Sequence, residues 1–284
     1  MKSLRATYYF SLVFIGLAAG SAAADDHEGA WALALGDSVV FGYIIQAGHQ
    51  YVNARNFIGS PEYFADALHL NVANAGCPGE ATSSFLSSTG ADNGCRAFRS
   101  EFPLHVAYNS TQLAFATTFL KNHPAVRLVS IGLGANDFFL LEETCAANPN
   151  PSQCINAGLP ATLAEVASNM ATILADLRAA GFGGVLIIVN YYSLDYSDPV
   201  GTGITELLNQ AIAAPAKAYG AVVADVFTAF GKVVANPAIG GKTCNAGLLN
   251  VNPQDQTLCD VHPSQSGQQL IAKTIARAYR AATE

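Results

Sequence analysis

The sequence contains a serine, a histidine and an aspartate in settings that suit nucleophilic catalysis. Ser38 follows an apolar run and a Gly-Asp pair, and His262 stands two residues after Asp260 and just before a helical pattern. A serine hydroxyl becomes a strong nucleophile when an imidazole takes its proton and a further group binds the other ring nitrogen. Aspartate and serine are also common helix N-caps, so residues 36–38 alone fit a helix start equally well.

Two other segments offer the hydrogen-bond donors that such a reaction needs. Asn136, in the run Gly-Ala-Asn-Asp at 134–137, carries a side-chain amide that can donate to a developing oxyanion, an interaction worth roughly 3 kcal/mol. Gly79, within residues 74–80, lets the backbone approach a ligand closely and exposes its N–H. Glycine and asparagine are also frequent in turns, so each segment taken alone is more simply a turn.

Five short apolar runs, separated by helical patterns, predict a parallel sheet covered on both faces. The predicted strands are 31–35, 70–74, 126–133, 185–190 and 221–226, and the predicted helices are 61–68, 111–121, 163–180, 204–219 and 265–282. The polar side chains described above follow three of these strands or precede the last helix. Ligands bind beyond the carboxyl ends of strands in such sheets, so we expect these side chains to converge there.

The six cysteines predict disulfides. Three long segments, 77–110, 138–160 and 231–262, are predicted to be loops, and each contains one pair of cysteines. The simplest pairing is local in sequence and joins Cys77 to Cys95, Cys145 to Cys154 and Cys244 to Cys259. Each bond would contribute roughly 3 kcal/mol by closing a short loop. No metal site is expected, because the sequence has no Cys-x-x-Cys, His-x-His or His-Glu-x-x-His motif.

The composition of the 284 residues excludes several classes of protein. Hydrophobic residues make up 51% of the chain and charged residues only 12%, which excludes a disordered protein and allows a sizeable core. The formal net charge is −7, so the chain lacks the basic field of a nucleic-acid-binding protein. What is left is a globular protein with no nucleic-acid partner.

Residues 1–24 have the pattern of a secretory signal peptide. Lys2 and Arg5 precede the apolar run Tyr8–Ala19, and small residues follow it. A membrane anchor would need roughly 20 apolar residues, which no later stretch supplies. We expect export to the periplasm or the extracellular space and a single domain over 25–284. Loss of Lys2 and Arg5 leaves 12 of the 14 basic residues against 21 acidic ones, a charge of −9, so no membrane insertion or attraction to anionic lipid is expected.

These motifs, taken together and in this order, resemble those of the SGNH (GDSL-type) hydrolase superfamily. Gly36-Asp37-Ser38 resembles its first block, residues 74–79 the second, Gly134-Ala135-Asn136-Asp137 the third and His262-Pro263 the last. The resemblance covers nearly the whole exported chain. The run 77–84, with the six cysteines and the signal peptide, is most similar to a secreted bacterial branch related to Streptomyces esterases and lipases.

The resemblance implies a three-layer α/β/α sandwich with five parallel strands in flavodoxin-like order, and an enzyme that hydrolyses carboxylic esters. Ser38 would be the nucleophile and His262 the base. The N–H groups of Ser38 and Gly79 and the amide of Asn136 would hold the oxyanion. We expect no cofactor, an acyl or lipid ester as substrate, and a monomer. The alternatives are a carbohydrate acetylesterase and a non-catalytic secreted binding protein.

The last block departs from the usual pattern of the superfamily, in which an aspartate stands three residues before the histidine. That position is Cys259 here, and Asp260 stands only two residues before His262. Asp260 could still orient the imidazole as the acid of a catalytic triad. Alternatively, the main-chain carbonyl of Cys259 could orient it, which would leave a Ser-His dyad.

Overall fold

Five parallel strands form the central sheet of the computed structural model, which describes residues 29–284. The strands are β1 (Trp31–Gly36), β2 (Asn71–Asn74), β3 (Val126–Gly132), β4 (Val185–Val189) and β5 (Ala221–Ala224), in the order β2-β1-β3-β4-β5. This is the flavodoxin-like order, so the predicted strands and their arrangement are confirmed. The signal peptide predicted at 1–24 lies outside the described residues.

Helices cover both faces of the sheet. Between residues 29 and 284, α1 to α10 run over Ser38–Phe41, Ser60–Leu68, Thr82–Leu86, Cys95–Glu101, Gln112–Asn122, Ala135–Ala146, Pro151–Ala179, Pro199–Ala213, Val226–Val234 and Gln265–Thr283. Side chains of α5, α7 and α8 pack on one face, and those of α2, α9 and α10 pack on the other. The predicted three-layer sandwich is therefore confirmed.

Successive residues of β1 face opposite layers, as the pleat of a strand requires. Leu33 and Leu35 pack in the layer of α7, whereas Ala32 and Ala34 pack in the layer of α10. All four side chains are fully buried. The strand reads as an unbroken apolar run because neither of its faces meets water.

The prediction of a loop over 138–160 is wrong, because this segment is mostly helical. Helix α6 runs to Ala146 and α7 already begins at Pro151, with the Asn150 side chain accepting a hydrogen bond from the Gln153 N–H. A proline at the first helical position costs nothing, since its missing N–H would have no partner there. The helix continues through Pro160, so α7 begins well before the predicted start at residue 163.

The other two predicted loops also contain regular structure. Helices α3 and α4 lie within 77–110, and an antiparallel hairpin of β6 (Leu249–Val251) and β7 (Cys259–Pro263) occupies the end of 231–262 and extends one residue beyond it. The predicted helix 204–219 ends early, because α8 stops at Ala213 and a 3₁₀ turn follows Pro215. No helix among the described residues is long and apolar enough to cross a bilayer.

All six cysteines form the disulfides expected from their spacing. The Cα–Cα distances are 5.5 Å for Cys77–Cys95, 5.6 Å for Cys145–Cys154 and 5.7 Å for Cys244–Cys259. The first bond closes the segment after β2, the second joins α6 to α7, and the third anchors β7. The first segment contains Gly79, and β7 contains Asp260 and His262, all of which are predicted site residues.

Candidate active site

Ser38 lies at the carboxyl end of the central strand β1, as the first residue of the short helix α1. The chain leaves β1 at Gly36, whose φ is +143° and whose Cβ, if present, would lie 2.0 Å from the carbonyl oxygen of Gly132. Only glycine allows this exit. Asp37 then caps α1 by accepting a hydrogen bond from the Val39 N–H at 2.9 Å. Asp37 is thus a helix N-cap, as one interpretation of residues 36–38 expected. The same turn brings Ser38 beside His262.

A continuous chain of hydrogen bonds links Ser38, His262 and Asp260. Ser38 Oγ lies 2.9 Å from His262 Nε2, and His262 Nδ1 lies 2.6 Å from Asp260 Oδ2. Ser38 and His262 are 224 residues apart in sequence. Within residues 29–284, no main-chain carbonyl is hydrogen-bonded to the His262 ring, so the Asp260 carboxylate is its partner and the Cys259 carbonyl is not.

The strand β7 explains how an aspartate two residues before the histidine can reach it. Asp260 and His262 both lie in β7, and residues i and i+2 of a strand project from the same face. The position of β7 is set by the Cys244–Cys259 disulfide and by the Tyr192 hydroxyl, which donates to the Val261 carbonyl at 2.7 Å. The shortened spacing is therefore compatible with a Ser-His-Asp arrangement.

Burial and the neighbouring imidazole act in opposite directions on Asp260. Partial burial raises the pKa of this carboxyl, but the hydrogen bond from His262 and the electrostatic interaction with its imidazole outweigh burial, so the net pKa lies below the ordinary value. Asp260 is therefore ionised near neutral pH, and its carboxylate can accept the hydrogen bond from His262 Nδ1. The ring of Tyr43 packs against the His262 ring, with centroids 4.9 Å apart, and restricts its movement.

Asn136 lies in the same cavity as Ser38, at the start of α6. Its Oδ1 accepts a hydrogen bond from Asn93 Nδ2 at 2.9 Å, and its Nδ2 donates to the Glu80 carbonyl oxygen at 2.9 Å. These two bonds fix the orientation of the amide, since a flipped amide would place like groups against each other. One amide hydrogen is left to donate to a ligand.

The two predicted backbone donors differ in position. Among the described residues, neither the Ser38 N–H nor the Gly79 N–H has a hydrogen-bond partner, so both can donate to a ligand. Gly79 has a φ of +87° and packs against Asn93, whose N–H donates to the Gly79 carbonyl at 2.8 Å. The cavity beside Ser38 is not lined by Gly79. Its role as an oxyanion donor stays a prediction.

A largely apolar cavity of about 460 Å³ opens beside Ser38 and His262. Phe138 and Phe139 of α6 form one wall, and Ile204 and Leu208 of α8 form another. Its charged lining consists of carboxylates and His262, and no lysine or arginine within 29–284 contributes to it. The cavity is large enough for a small ligand and suits an uncharged, apolar group.

Several contacts of buried polar residues around the site carried no sequence signal. The Tyr191 hydroxyl donates to Asp37 Oδ2 at 2.5 Å, and burial raises the pKa of Asp37 to about 6. Asp137 accepts hydrogen bonds from the N–H and hydroxyl of Thr82, and burial raises its pKa to about 6 as well. The partners of each pair come from distant segments, so only the folded chain reveals them.

The cluster of Cys77, Glu80 and Cys95 brings three potential metal ligands together. Both sulfur atoms are consumed in the Cys77–Cys95 disulfide. Metal ions bind the thiolate form of cysteine, so this cluster is not a metal site.

Glu80 is buried, and burial raises its pKa from an ordinary value of 4.5 to about 7. A raised pKa means that the folded state binds the Glu80 proton more tightly than the unfolded state does. The resulting stabilisation of the fold is fully present below the unfolded pKa and is lost as pH rises through about 7. We expect the free energy of unfolding of the wild type to fall by about 3 kcal/mol more than that of Glu80→Gln between about pH 4 and pH 8. Urea denaturation at each pH measures this difference. Parallel profiles for the two proteins would contradict it.

The family of the chain follows from comparison with known proteins. The model of the GDSL-like lipase/acylhydrolase family matches residues 34–270, and the chain therefore belongs to this family. Family membership supports an ester hydrolase. A search of curated proteins finds no match.

Solved structures with the same fold include several esterases. Phospholipase A1 from Streptomyces albidoflavus NA297 superposes with a TM-score of 0.58 at 18% identity, covering 88% of this chain and 99% of that one. A catalytic mutant of Axe2, an acetylxylan esterase from Geobacillus stearothermophilus, gives 0.53 at 14% identity, with coverages of 88% and 94%. LAE5, an α/β hydrolase from the metagenome of Lake Arreo, Spain, gives 0.52 at 14% identity, with 90% and 97%. At such low identities the likeness concerns the fold.

Proposed function

We propose that this protein is a serine esterase that hydrolyses carboxylic esters through an acyl-Ser38 intermediate. The observation that carries the proposal is the hydrogen-bonded chain from Ser38 Oγ through His262 to Asp260. This chain opens into the apolar cavity that also contains Asn136. Nucleophile, base, orienting acid and an oxyanion donor are thus present in one place, as acyl transfer requires.

In the first half of the reaction, Ser38 Oγ attacks the ester carbonyl carbon while His262 Nε2 accepts the hydroxyl proton. The carbonyl π electrons move to oxygen, and the free amide hydrogen of Asn136 and the N–H groups of Ser38 and Gly79 stabilise the resulting oxyanion. The tetrahedral intermediate then collapses and breaks the bond to the alcohol oxygen. His262 returns its proton to this oxygen, so a neutral alcohol leaves.

In the second half, water replaces the alcohol. His262 Nε2 takes a proton from water as the hydroxide oxygen bonds to the acyl carbon. Collapse of the second tetrahedral intermediate breaks the bond to Ser38 Oγ, which recovers the proton. Asp260 stays ionised throughout and stabilises the imidazolium that forms in both halves. No metal or cofactor takes part in these steps.

The proposed substrates are acyl or lipid esters. The walls formed by Phe138, Phe139, Ile204 and Leu208 would bury an apolar acyl chain and release its hydration water. The carboxylates at the cavity would repel an anionic group, including the fatty-acid product. We propose that the protein is secreted and acts as a monomer. The sequence pattern at 1–24 and the three disulfides support its secretion, since disulfides persist in oxidising compartments.

Hydrolysis of p-nitrophenyl esters of increasing chain length tests this proposal. We expect kcat/KM to be at least about tenfold higher for the octanoate than for the acetate, because each buried methylene contributes about 0.8 kcal/mol. Ile204→Trp should fill the cavity and reverse this preference. Val233→Trp, at a partly exposed position outside the cavity, is the matched control and should keep the wild-type preference.

The other outcomes of the series identify the alternatives. An optimum at the acetate, with release of acetate from acetylated xylan, would indicate a carbohydrate acetylesterase. No hydrolysis of any ester by the folded wild type would contradict the esterase proposal and favour a binding protein.

A further inference from the structure

A fully buried glutamine binds the backbone next to the proposed nucleophile. Gln112, the first residue of α5, accepts a hydrogen bond from the Gly36 N–H at 2.5 Å and donates to the Gly36 carbonyl at 3.0 Å. One side chain thus satisfies both main-chain groups of the residue at which β1 ends. Ser38, with its N–H and its hydroxyl, follows two residues later.

The same glutamine joins this turn to a buried glutamate. Gln112 Nε2 lies 3.1 Å from Glu80 Oε2, and the Ser84 hydroxyl donates to the other oxygen, Oε1, at 2.5 Å. Glu80 is only 2% exposed. Both carboxylate oxygens are therefore held by side chains in the protein interior, where a hydrogen bond is strong and its loss costly.

Glu80 is in turn tied to the two other proposed oxyanion donors. Its main-chain carbonyl accepts the hydrogen bond from Asn136 Nδ2, and Gly79 is its neighbour in the chain. The segments 36–38, 77–80 and 134–137 come from the ends of three different strands, β1, β2 and β3. Gln112, from α5, therefore bridges the first of these segments and the second, which holds the third, and it reinforces the main-chain hydrogen bond from the Cys77 N–H to the Gly36 carbonyl at 3.0 Å.

We propose that Gln112 and Glu80 are positioning residues that set the spacing of the three oxyanion donors, Ser38, Gly79 and Asn136. This inference rests on the proposed esterase function. Neither side chain lines the cavity, so neither touches the substrate. They act by holding the Gly36 turn at a fixed distance from the backbone of the 77–80 segment.

Such a role has a kinetic signature that a purely structural role lacks. The oxyanion exists only in the transition states, so displaced donors should lower kcat and leave KM nearly unchanged. A misplacement of about 1 Å costs roughly 100-fold in rate. We therefore expect Gln112→Ala and Glu80→Ala each to lower kcat by about 10- to 100-fold, with KM changed by less than about threefold.

A conservative variant and a matched control separate this role from general destabilisation. Glu80→Gln keeps an acceptor for Gln112 and a group that can bond Ser84, so it should restore kcat to within about threefold of the wild type. Asn190 is a half-buried amide whose Oδ1 accepts hydrogen bonds from the N–H groups of Val226 and Phe227 at 2.6 and 3.1 Å, outside the cavity and on a segment with no oxyanion donor. Asn190→Ala should lower the melting temperature as Gln112→Ala does while kcat falls far less.

A double-mutant cycle tests the route of the effect and does not need Gln112→Ala to fold. If Glu80 acts through Asn136, the fall in kcat caused by Glu80→Ala should shrink in an Asn136→Ala background. The readouts are kcat and KM for p-nitrophenyl octanoate, with melting temperatures for each variant.

The outcomes of these measurements are distinct. Unchanged kcat in Gln112→Ala and Glu80→Ala, a loss that Glu80→Gln does not restore, or additive effects with Asn136→Ala would each overturn the positioning role while leaving the esterase function intact. If the folded wild type hydrolyses no ester, the proposed function itself fails.

Discussion

Ser38→Ala should lower kcat for p-nitrophenyl octanoate by about 10⁶-fold, because removal of a serine nucleophile leaves only binding and oxyanion stabilisation. The Oγ atom that this change deletes is the one within hydrogen-bond distance of His262 Nε2. Ser38 has no other side-chain partner among the described residues, so its loss should not disturb the fold. Initial rates for the wild type and the variant, at the same enzyme concentration, measure the effect.

Three controls make the Ser38 result decisive. The melting temperature of Ser38→Ala should match that of the wild type, and a fluorophosphonate probe should add its mass to the Ser38 peptide of the wild type only. Ser264→Ala is a comparison at a serine that caps α10 and lies outside the cavity, and it should keep its activity. Equal rates for the wild type and Ser38→Ala would rule out the acyl-Ser38 mechanism.

Asp260→Asn should lower kcat by about 10⁴-fold, the size of the loss when a triad acid becomes an amide. The Asp260 carboxylate accepts the Nδ1–H of His262, which leaves Nε2 free to take the Ser38 proton. An asparagine amide can instead donate to Nδ1, which places the ring proton on Nε2 and blocks that transfer. The measurement is kcat for p-nitrophenyl octanoate near neutral pH.

Asp255→Asn is the matched control for the Asp260 prediction. Asp255 lies in the turn between β6 and β7 and is exposed, and within the described part of the chain it bonds only to Thr257 and the local backbone. The control variant loses the same charge from the same hairpin and should keep wild-type kcat. A loss of less than about tenfold in Asp260→Asn would indicate that a Ser-His dyad suffices for catalysis. The Asp260–His262 hydrogen bond would then not be needed for the reaction.

Local patterns in the sequence were sufficient for the layers of the fold. The inner strands β1 and β4 are short apolar runs, because a strand buried on both faces has no reason to alternate with polar residues, whereas the edge strand β2 begins and ends with an asparagine. The disulfides were predictable for a similar reason, since each pair of cysteines lies within one connecting segment. The segment 138–160 was mistaken for a loop, whereas packing of α7 against α6 keeps it helical even at Pro160, which is unfavourable inside a helix.

The proposed catalytic side chains were found through a resemblance of motifs, but their contacts needed the folded chain. Sequence spacing left Asp260 and the Cys259 carbonyl as alternative partners of His262. The structure favours Asp260, because β7 is extended there and turns residues 260 and 262 to one face. That extended conformation depends on pairing with β6 and on the Cys244–Cys259 disulfide, neither of which acts locally.

The sequence by itself determined the strands, the central parts of five helices, the cysteine pairs and the residue types able to carry acyl transfer, since these depend on periodicity and side-chain chemistry. Only the tertiary structure decided how the groups meet. Gln112 lies 76 residues from the glycine that it binds, and Glu80 lies 56 residues from Asn136. Hydrogen bonds over such separations arise from the packing of whole elements, and no local pattern encodes them.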